Sequence, residues 1–311
     1  MTTPLKIALY CPEAKDAQRW AQALHLAMPE ATVEPWPTEL SQADYAVVWS
    51  PSQAFLDAHA NVKTIFNLGA GVDALLKLRL PKSVPVVRLE DAGMGMLMVQ
   101  YVGHAVLRHY RMLDTLTADM QSGLWRPRFP RPMEDFPVGI MGLGVLGQQV
   151  ARRLQNFGFP VAGWSRSPKH IDGVQCYYGA DQLHQFLAAT RVLVCLLPLT
   201  PDTEGIINRR SLAQLMPPGY VINVARGAHV VDDDLIAMID SGHLAGATLD
   251  VFRTEPLPPD HAFRSRPQIN LTPHISAQTQ MGETIAQIAR KIAALQRGEP
   301  ITGVVDMAKA Y

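Results

Sequence analysis

The chain has 311 residues, enough for about two domains at ~150 residues each. Its hydrophobic content of 48% with 18% charged residues is that of an ordinary globular protein and excludes disordered and fibrous classes. Lys plus Arg balances Asp plus Glu at 28 each, so no global basic field draws the chain to nucleic acid or anionic lipid.

The chain opens MTTPLKIALYCPEA, where the apolar run before Cys11-Pro12 is too short for a signal peptide. No stretch approaches the ~18 apolar residues of a membrane span. Cys11, Cys176 and Cys195 are widely spaced and odd in number. That usage fits buried thiols in a reducing compartment, not a disulfide frame or a zinc site, and the chain is expected in the cytoplasm with no metal.

Short apolar runs then alternate with helical patterns. Strands are predicted near Lys6–Tyr10, Thr32–Trp36, Tyr45–Trp49, Thr64–Leu68 and Pro85–Leu89, with helical text such as Asp16–Met28 between them. The stretch Gly123–Pro137, rich in Pro and Arg, is predicted to be irregular. A second strand series follows: Val138–Met141, Pro160–Trp164, Val174–Tyr177, Val192–Leu197, Tyr220–Val224, Ala247–Phe252 and Ile269–Leu271. Met281–Arg297 closes the chain as a helix with Ile285, Ile288, Ala289, Ile292 and Leu295 on one face, stopped by Gly298. The expected fold is α/β, with two doubly wound parallel-sheet domains, Rossmann- or flavodoxin-like, and a cleft between them.

Gly142-Leu-Gly144-Val-Leu-Gly147 follows the strand ending at Met141 and opens a helix predicted over Gln148–Phe157. In that context Gly142 permits the turn, Gly144 lets backbone approach a pyrophosphate, and Gly147 lets helix and strand pack closely. The helix N-terminus offers unpaired N–H groups to phosphates. An NAD site places an acid about 20 residues past the first glycine to bond the ribose 2′-hydroxyl. Here that place holds Ser165, Arg166 and Ser167, and no acid occurs from Gly158 to Ile171. An arginine fork pairs with a 2′-phosphate, so NADPH is the expected cofactor and NADH secondary.

Candidate chemistry lies at strand ends. His25, His104, His109 and His184 sit in helical text, and His59, His170, His243 and His261 in or near polar loops. All eight read as ordinary core or surface residues. His274 differs, following Ile269–Pro273 at a strand's C-terminal end, where open α/β sheets place ligands. The same reasoning selects Arg226, Asp250 and, on the loop beyond, Glu255.

Several long motifs now carry a resemblance. LLPLTPDTEGIIN (Leu196–Asn208), VINVARGAHVVDDDLIAMIDSGHLAGATLDVFRTEPLP (Val221–Pro258), LTPHISA (Leu271–Ala277) and the Gly142 turn resemble the D-isomer-specific 2-hydroxyacid dehydrogenases. LGAGVDALL (Leu68–Leu76), RLEDAGMGMLMVQYV (Arg88–Val102), HVVDDDL (His229–Leu235) and GEPITGVVDMAKAY (Gly298–Tyr311) look like the glyoxylate/hydroxypyruvate reductase A branch.

The resemblance implies NADPH-dependent reduction of glyoxylate and hydroxypyruvate. Residues 1–95 with 281–311 would form the substrate domain and residues 96–280 the dinucleotide-binding domain. His274 would protonate the carbonyl oxygen of a small 2-oxo acid, and Glu255 would pair with its ring and favour the charged form. Arg226 would hold the substrate carboxylate, and Asp250 would accept a hydrogen bond from the nicotinamide carboxamide. Val145, Leu146, Pro198, Thr203, Val224 and Ala225 would line the cofactor, and Ala70 and Gly71 would offer backbone N–H groups to the carboxylate. Gln100 stands where many members carry Glu. Trp125 reads either as a core or surface residue or as one closing a substrate pocket across a homodimer interface. Two other readings are a reductase of a bulkier 2-keto acid such as phenylpyruvate and a dinucleotide-sensing interaction protein.

Overall fold

The computed structural model of the chain describes residues 4–40 and 42–309. The first three residues of the opening stretch and the last two of the Gly298–Tyr311 motif lie outside them. The chain divides into two compact units. One comprises the residues through Gly93 together with those from Thr279 onward, and the other spans Met94–Gln278.

The first unit carries strands β1 (Leu5–Tyr10), β2 (Ala31–Pro35), β3 (Tyr45–Val48), β4 (Thr64–Asn67) and β5 (Val86–Val87). They form one parallel sheet in the order β2-β1-β3-β4-β5. Alternation along the strands sorts side chains to two faces. Ile7, Leu9, Val47 and Phe66 meet helix α1 (Ala14–Ala27) and the closing helix, while Ala8, Ala46, Val48 and Ile65 meet α2 (Gln53–Ala58) and α3 (Asp73–Leu76).

The second unit begins with α4 (Met94–Tyr110) and α5 (Leu113–Gln121). It then lays down β6 (Val138–Met141), β7 (Val161–Ser165), β8 (Gln175–Tyr178), β9 (Val192–Cys195), β10 (Gly219–Asn223), β11 (Leu244–Leu249) and β12 (Ile269–Leu271). The sheet order β12-β11-β10-β9-β6-β7-β8 reverses direction between β6 and β9, the switch point where such sheets bind ligands. β6, β7, β9 and β10 are buried throughout, as apolar runs covered on both faces should be. Val192 and Val194 face α4 and α6 (Val145–Asn156), whereas Leu193 and Cys195 face α7 (Leu183–Ala188), α8 (Arg209–Leu212) and α9 (Asp232–Asp240). The last helix, α10 (Met281–Gln296), returns to the first unit and buries Ile285, Ile288 and Ile292 beside Ile7 and Leu9.

Three expectations shift. The helix after the glycine turn starts at Val145, not Gln148, because Gly144 acts as its N-cap and Gly147 is helical. β11 runs Leu244–Leu249, not Ala247–Phe252. Gly246, at φ +156°, carries the chain through a bulge that begins the strand early. Within Gly123–Pro137, Met133–Asp135 makes one short 3-10 turn.

Candidate active site

All of the site residues expected in the second unit follow strand ends on the C-terminal edge of its sheet. After β6, Gly142 takes φ +110°, and a Cβ there would lie 2.7 Å from the Leu196 carbonyl oxygen. A Cβ on Gly147 would lie 1.9 Å from the Gly142 oxygen, so these two glycines are demanded by the fold itself. Gly144 is different. Its φ is −74°, and a Cβ there would meet nothing within 4 Å. The α6 N-terminus has no side-chain cap and no acid in its first turn. Its leading N–H groups and positive dipole end are therefore suited to an anion. Val145, 44% exposed, and half-buried Leu146 begin the helix beside it. This predicts that Gly144→Val leaves the melting temperature within about 2 °C of wild type, as expected where no packed atom moves. NADPH binding should weaken by ~10-fold or more, since a side chain would occupy the phosphate's approach. Unchanged cofactor affinity by titration would remove Gly144 from the site.

At the end of β7, Ser165 is buried and its hydroxyl donates to the Ser167 carbonyl at 2.8 Å, folding the turn that presents exposed Arg166 and Ser167. Beyond β9, Thr203 Oγ1 donates to the Pro198 carbonyl at 2.7 Å and accepts from Thr200 N at 2.9 Å, which closes a tight loop. Val224 and Ala225 are buried as the chain leaves β10 toward Arg226. The half-buried Arg226 bonds its neighbour's carbonyl, Ala225 O, through Nη1 at 2.7 Å.

His274 and Glu255 meet directly: Nδ1 lies 2.8 Å from Oε2, and the side chains are 47% and 36% exposed. Glu255 is itself held, its Oε1 accepting from Phe252 N at 2.9 Å. With Nδ1–H donated to the carboxylate, Nε2 is the nitrogen left to act on a substrate. His274 sits at φ +54°, a left-handed conformation uncommon outside glycine.

Asp250 explains how that conformation is held. It is completely buried. Its Oδ1 accepts from Ile275 N at 2.9 Å and from the Thr272 hydroxyl, and Oδ2 accepts from Ser276 N at 2.8 Å. Its carbonyl accepts from His274 N at 2.8 Å. Because the Thr272 proton is directed to Asp250, the Tyr101 hydroxyl is the donor in its own bond to Thr272. Burial pushes the Tyr101 phenol up to about 12, which keeps that proton in place. The carboxylate expected to meet a nicotinamide amide is thus enclosed, and both its oxygens bind the turn that carries His274. Thr272 and Tyr101 are the members of this cluster that sequence reasoning missed. Thr272 lies inside the LTPHISA motif and Tyr101 inside RLEDAGMGMLMVQYV, but neither stretch marks its hydroxyl as a partner of Asp250.

In the first unit, Ala70 and Gly71 lie on the loop after β4. Asn67 Nδ2 donates to the Gly69 and Gly71 carbonyls at 3.0 and 2.9 Å, which fixes the loop's backbone. Trp125 is 83% exposed beside Phe129 at 85%.

The arrangement is a doubly wound parallel sheet with a glycine turn at its switch point and a hydrogen-bonded His–Glu pair beyond its C-terminal strand ends. Residues 104–276 match the family model for the D-isomer specific 2-hydroxyacid dehydrogenase, NAD binding domain. A glyoxylate/hydroxypyruvate reductase A from Salmonella newport is 47% identical over 314 residues, covering 99% of this chain and 100% of that protein. A D-isomer specific 2-hydroxyacid dehydrogenase from Xanthobacter autotrophicus Py2, solved in complex with NADPH and MES, superposes with a TM-score of 0.94 at 37% identity, covering 99% of this chain and 100% of the other. An NADPH-dependent glyoxylate/hydroxypyruvate reductase from Sinorhizobium meliloti, solved with NADP and sulfate, gives 0.92 at 36% identity with the same coverage. The chain belongs to the D-isomer specific 2-hydroxyacid dehydrogenase family.

Proposed function

We propose that the chain reduces small 2-oxo acids with NADPH, taking glyoxylate to glycolate and hydroxypyruvate to D-glycerate. The observation that carries this is the His274–Glu255 pair at the sheet's ligand-binding edge, with Arg226 leaving the strand next to β11. NADPH, when bound, supplies a hydride to the carbonyl carbon. The α6 N-terminus and the open face of Gly144 suit its pyrophosphate, with the Pro198–Thr203 loop, Val224 and Ala225 alongside. Arg166, with Ser165 and Ser167, stands where an acid would repel a 2′-phosphate.

Arg226 is assigned the substrate carboxylate, which its planar fork fits better than a point charge would. His274 donates the Nε2 proton to the carbonyl oxygen and keeps its Nδ1 proton, which Glu255 accepts as a hydrogen bond, so the ring ends neutral and oriented. Asp250 is assigned to holding His274 in place. Ala70 and Gly71, on their braced loop, are assigned as backbone donors to a carboxylate. On these assignments Met94–Gln278 is the dinucleotide-binding unit and the other the substrate unit.

The test is a steady-state panel of NADPH and NADH, each with glyoxylate, hydroxypyruvate, pyruvate and phenylpyruvate. The expected result is fastest turnover of glyoxylate and hydroxypyruvate, with NADPH preferred. Preference for phenylpyruvate would replace the substrate, preference for NADH would sink the role of Arg166, and binding of NADPH without any turnover would favour a sensor.

Helix α5 buries none of its residues; its Met120 is 56% exposed, and Trp125 and Phe129, which follow it in the chain, are exposed too. Large exposed apolar groups within one short stretch of chain suit a protein contact, and a second copy of this chain is the proposed occupant. Light scattering should give twice the 34.2 kDa chain mass, and Trp125→Ala with Phe129→Ala should halve it. A wild-type monomer would contradict this. The free cysteines, with the Cys11 thiol pushed by burial up to about 11, suit a reducing cytoplasm. No helix among the described residues is long and apolar enough to cross a membrane.

A further inference from the structure

Behind Arg226 lies a buried imidazole that the chemistry above does not use. His229 ends the 3-10 turn Gly227–His229 and has no exposed surface. Its Nδ1 lies 3.0 Å from the Arg226 carbonyl oxygen and 3.2 Å from Arg226 N, and its Nε2 lies 3.3 Å from the Pro198 carbonyl oxygen. One ring therefore spans two segments that leave adjacent strands: the loop after β9, where Pro198 and Thr203 sit, and the peptide of Arg226 after β10. The turn has no slack. A Cβ on Gly227 would fall 1.8 Å from the Phe252 carbonyl carbon, and the His229 backbone bonds Arg226 O at 3.2 Å and Ile207 N at 2.9 Å.

Burying an imidazole is costly unless it is hydrogen-bonded, and a leucine would fill similar space without that cost. What leucine cannot do is bond both segments. Burial acts to lower the pKa of the His229 ring, but the Cys195 sulfur and the Pro198 and Arg226 backbone outweigh it and hold the ring above its ordinary value. Nδ1 faces both the N–H and the carbonyl of Arg226 and Nε2 faces the Pro198 carbonyl, so each ring nitrogen serves one of the two segments.

We propose that His229 is a positioning residue that fixes the Arg226 peptide against the Pro198 loop, so that the substrate anchor and the cofactor loop keep one register. This deepens the reading above and rests on Arg226 as the carboxylate anchor. Small displacements of such an anchor weaken turnover far more than they weaken the fold.

The experiment compares His229→Leu, His229→Asn and His229→Gln in the NADPH assay, with melting temperatures in parallel. An asparagine amide reaches the Nδ1 position and can serve Arg226, whereas a glutamine amide reaches toward Nε2 and Pro198. His229→Leu is expected to raise KM for glyoxylate by ~10-fold or more, with KM for NADPH changed less. His229→Asn should recover most of that loss, and His229→Gln should not. Wild-type KM for glyoxylate in the leucine variant overturns the proposal, as does equal loss in the Asn and Gln variants, which would mark a packing role only. If the leucine variant does not fold, the Asn–Gln contrast decides. An inactive wild-type protein overturns the enzyme reading itself, so the two failures are distinct.

Discussion

Replacing His274 with alanine is expected to lower kcat by ~10²–10⁴-fold, the usual scale for a lost general acid, with little change in thermal stability. The side chain is 47% exposed and its partner Glu255 36%, so removing it opens no cavity and strands no buried charge. In the proposed mechanism the ring contributes the Nε2 proton, oriented through the 2.8 Å bond from Nδ1 to Glu255. Because His274 sits at φ +54°, alanine also strains the turn slightly, and His274→Asn is the necessary companion. Asparagine tolerates left-handed backbone yet offers no acid, so it should be as inactive as alanine. An asparagine variant with near-wild-type kcat would show that the turn, not the imidazole, had been at fault. Glu255→Gln should lose less, because an amide oxygen can still accept from Nδ1–H and keep the ring oriented.

The second large effect is expected at Asp250, although nothing there meets substrate in the assignments above. Asp250→Asn changes one oxygen to an NH₂ group while Ile275 N, Ser276 N and the Thr272 hydroxyl all still need acceptors. At least one buried donor is left facing another donor, at about 1–3 kcal/mol. The turn that holds His274 left-handed then relaxes, and misplacement of the acid by ~1 Å is enough for a ~10²-fold loss of kcat. The expected signature is therefore a lowered melting temperature together with a lowered kcat. Thr272→Ser should retain most of both, since the hydroxyl survives. Wild-type kcat in Asp250→Asn would contradict the positioning role, and a kcat loss at unchanged melting temperature would return the carboxylate to the nicotinamide.

Much of this was legible from sequence for a simple reason. Parallel strands covered on both faces are written as unbroken apolar runs, and the residues that end those runs are the ones at the ligand-binding edge. Tyr220–Val224 and Ile269–Leu271 were readable in that way, and with them Arg226 and His274. The glycine turn was readable because each glycine has a steric reason, two of them within the fold and one facing open space. Other features were not legible. The helix start at Val145 is masked by glycines that read as turn. The limits of β11 depend on the bulge at Gly246, and Val251-Phe252, apolar like a strand, instead leads into the loop that carries Glu255. Asp250 announced itself as a charge at a strand end, but the fate of its oxygens depends on donors 22 to 26 residues downstream. His229 opens the HVVDDDL motif, but its position was not legible, because a buried imidazole that folds back on Arg226 leaves the same local text as any residue of a short turn.

The central claim is that this chain transfers a hydride from NADPH directly to the carbonyl carbon of a small 2-oxo acid, with the proton coming from His274. Turnover of glyoxylate with NADPH deuterated at both nicotinamide C4 positions, followed by mass analysis of the glycolate, tests it most directly. The expected product is glycolate carrying one deuterium on carbon, formed at a rate that collapses in His274→Ala. Unlabelled glycolate, or labelled product formed equally fast without His274, would contradict it.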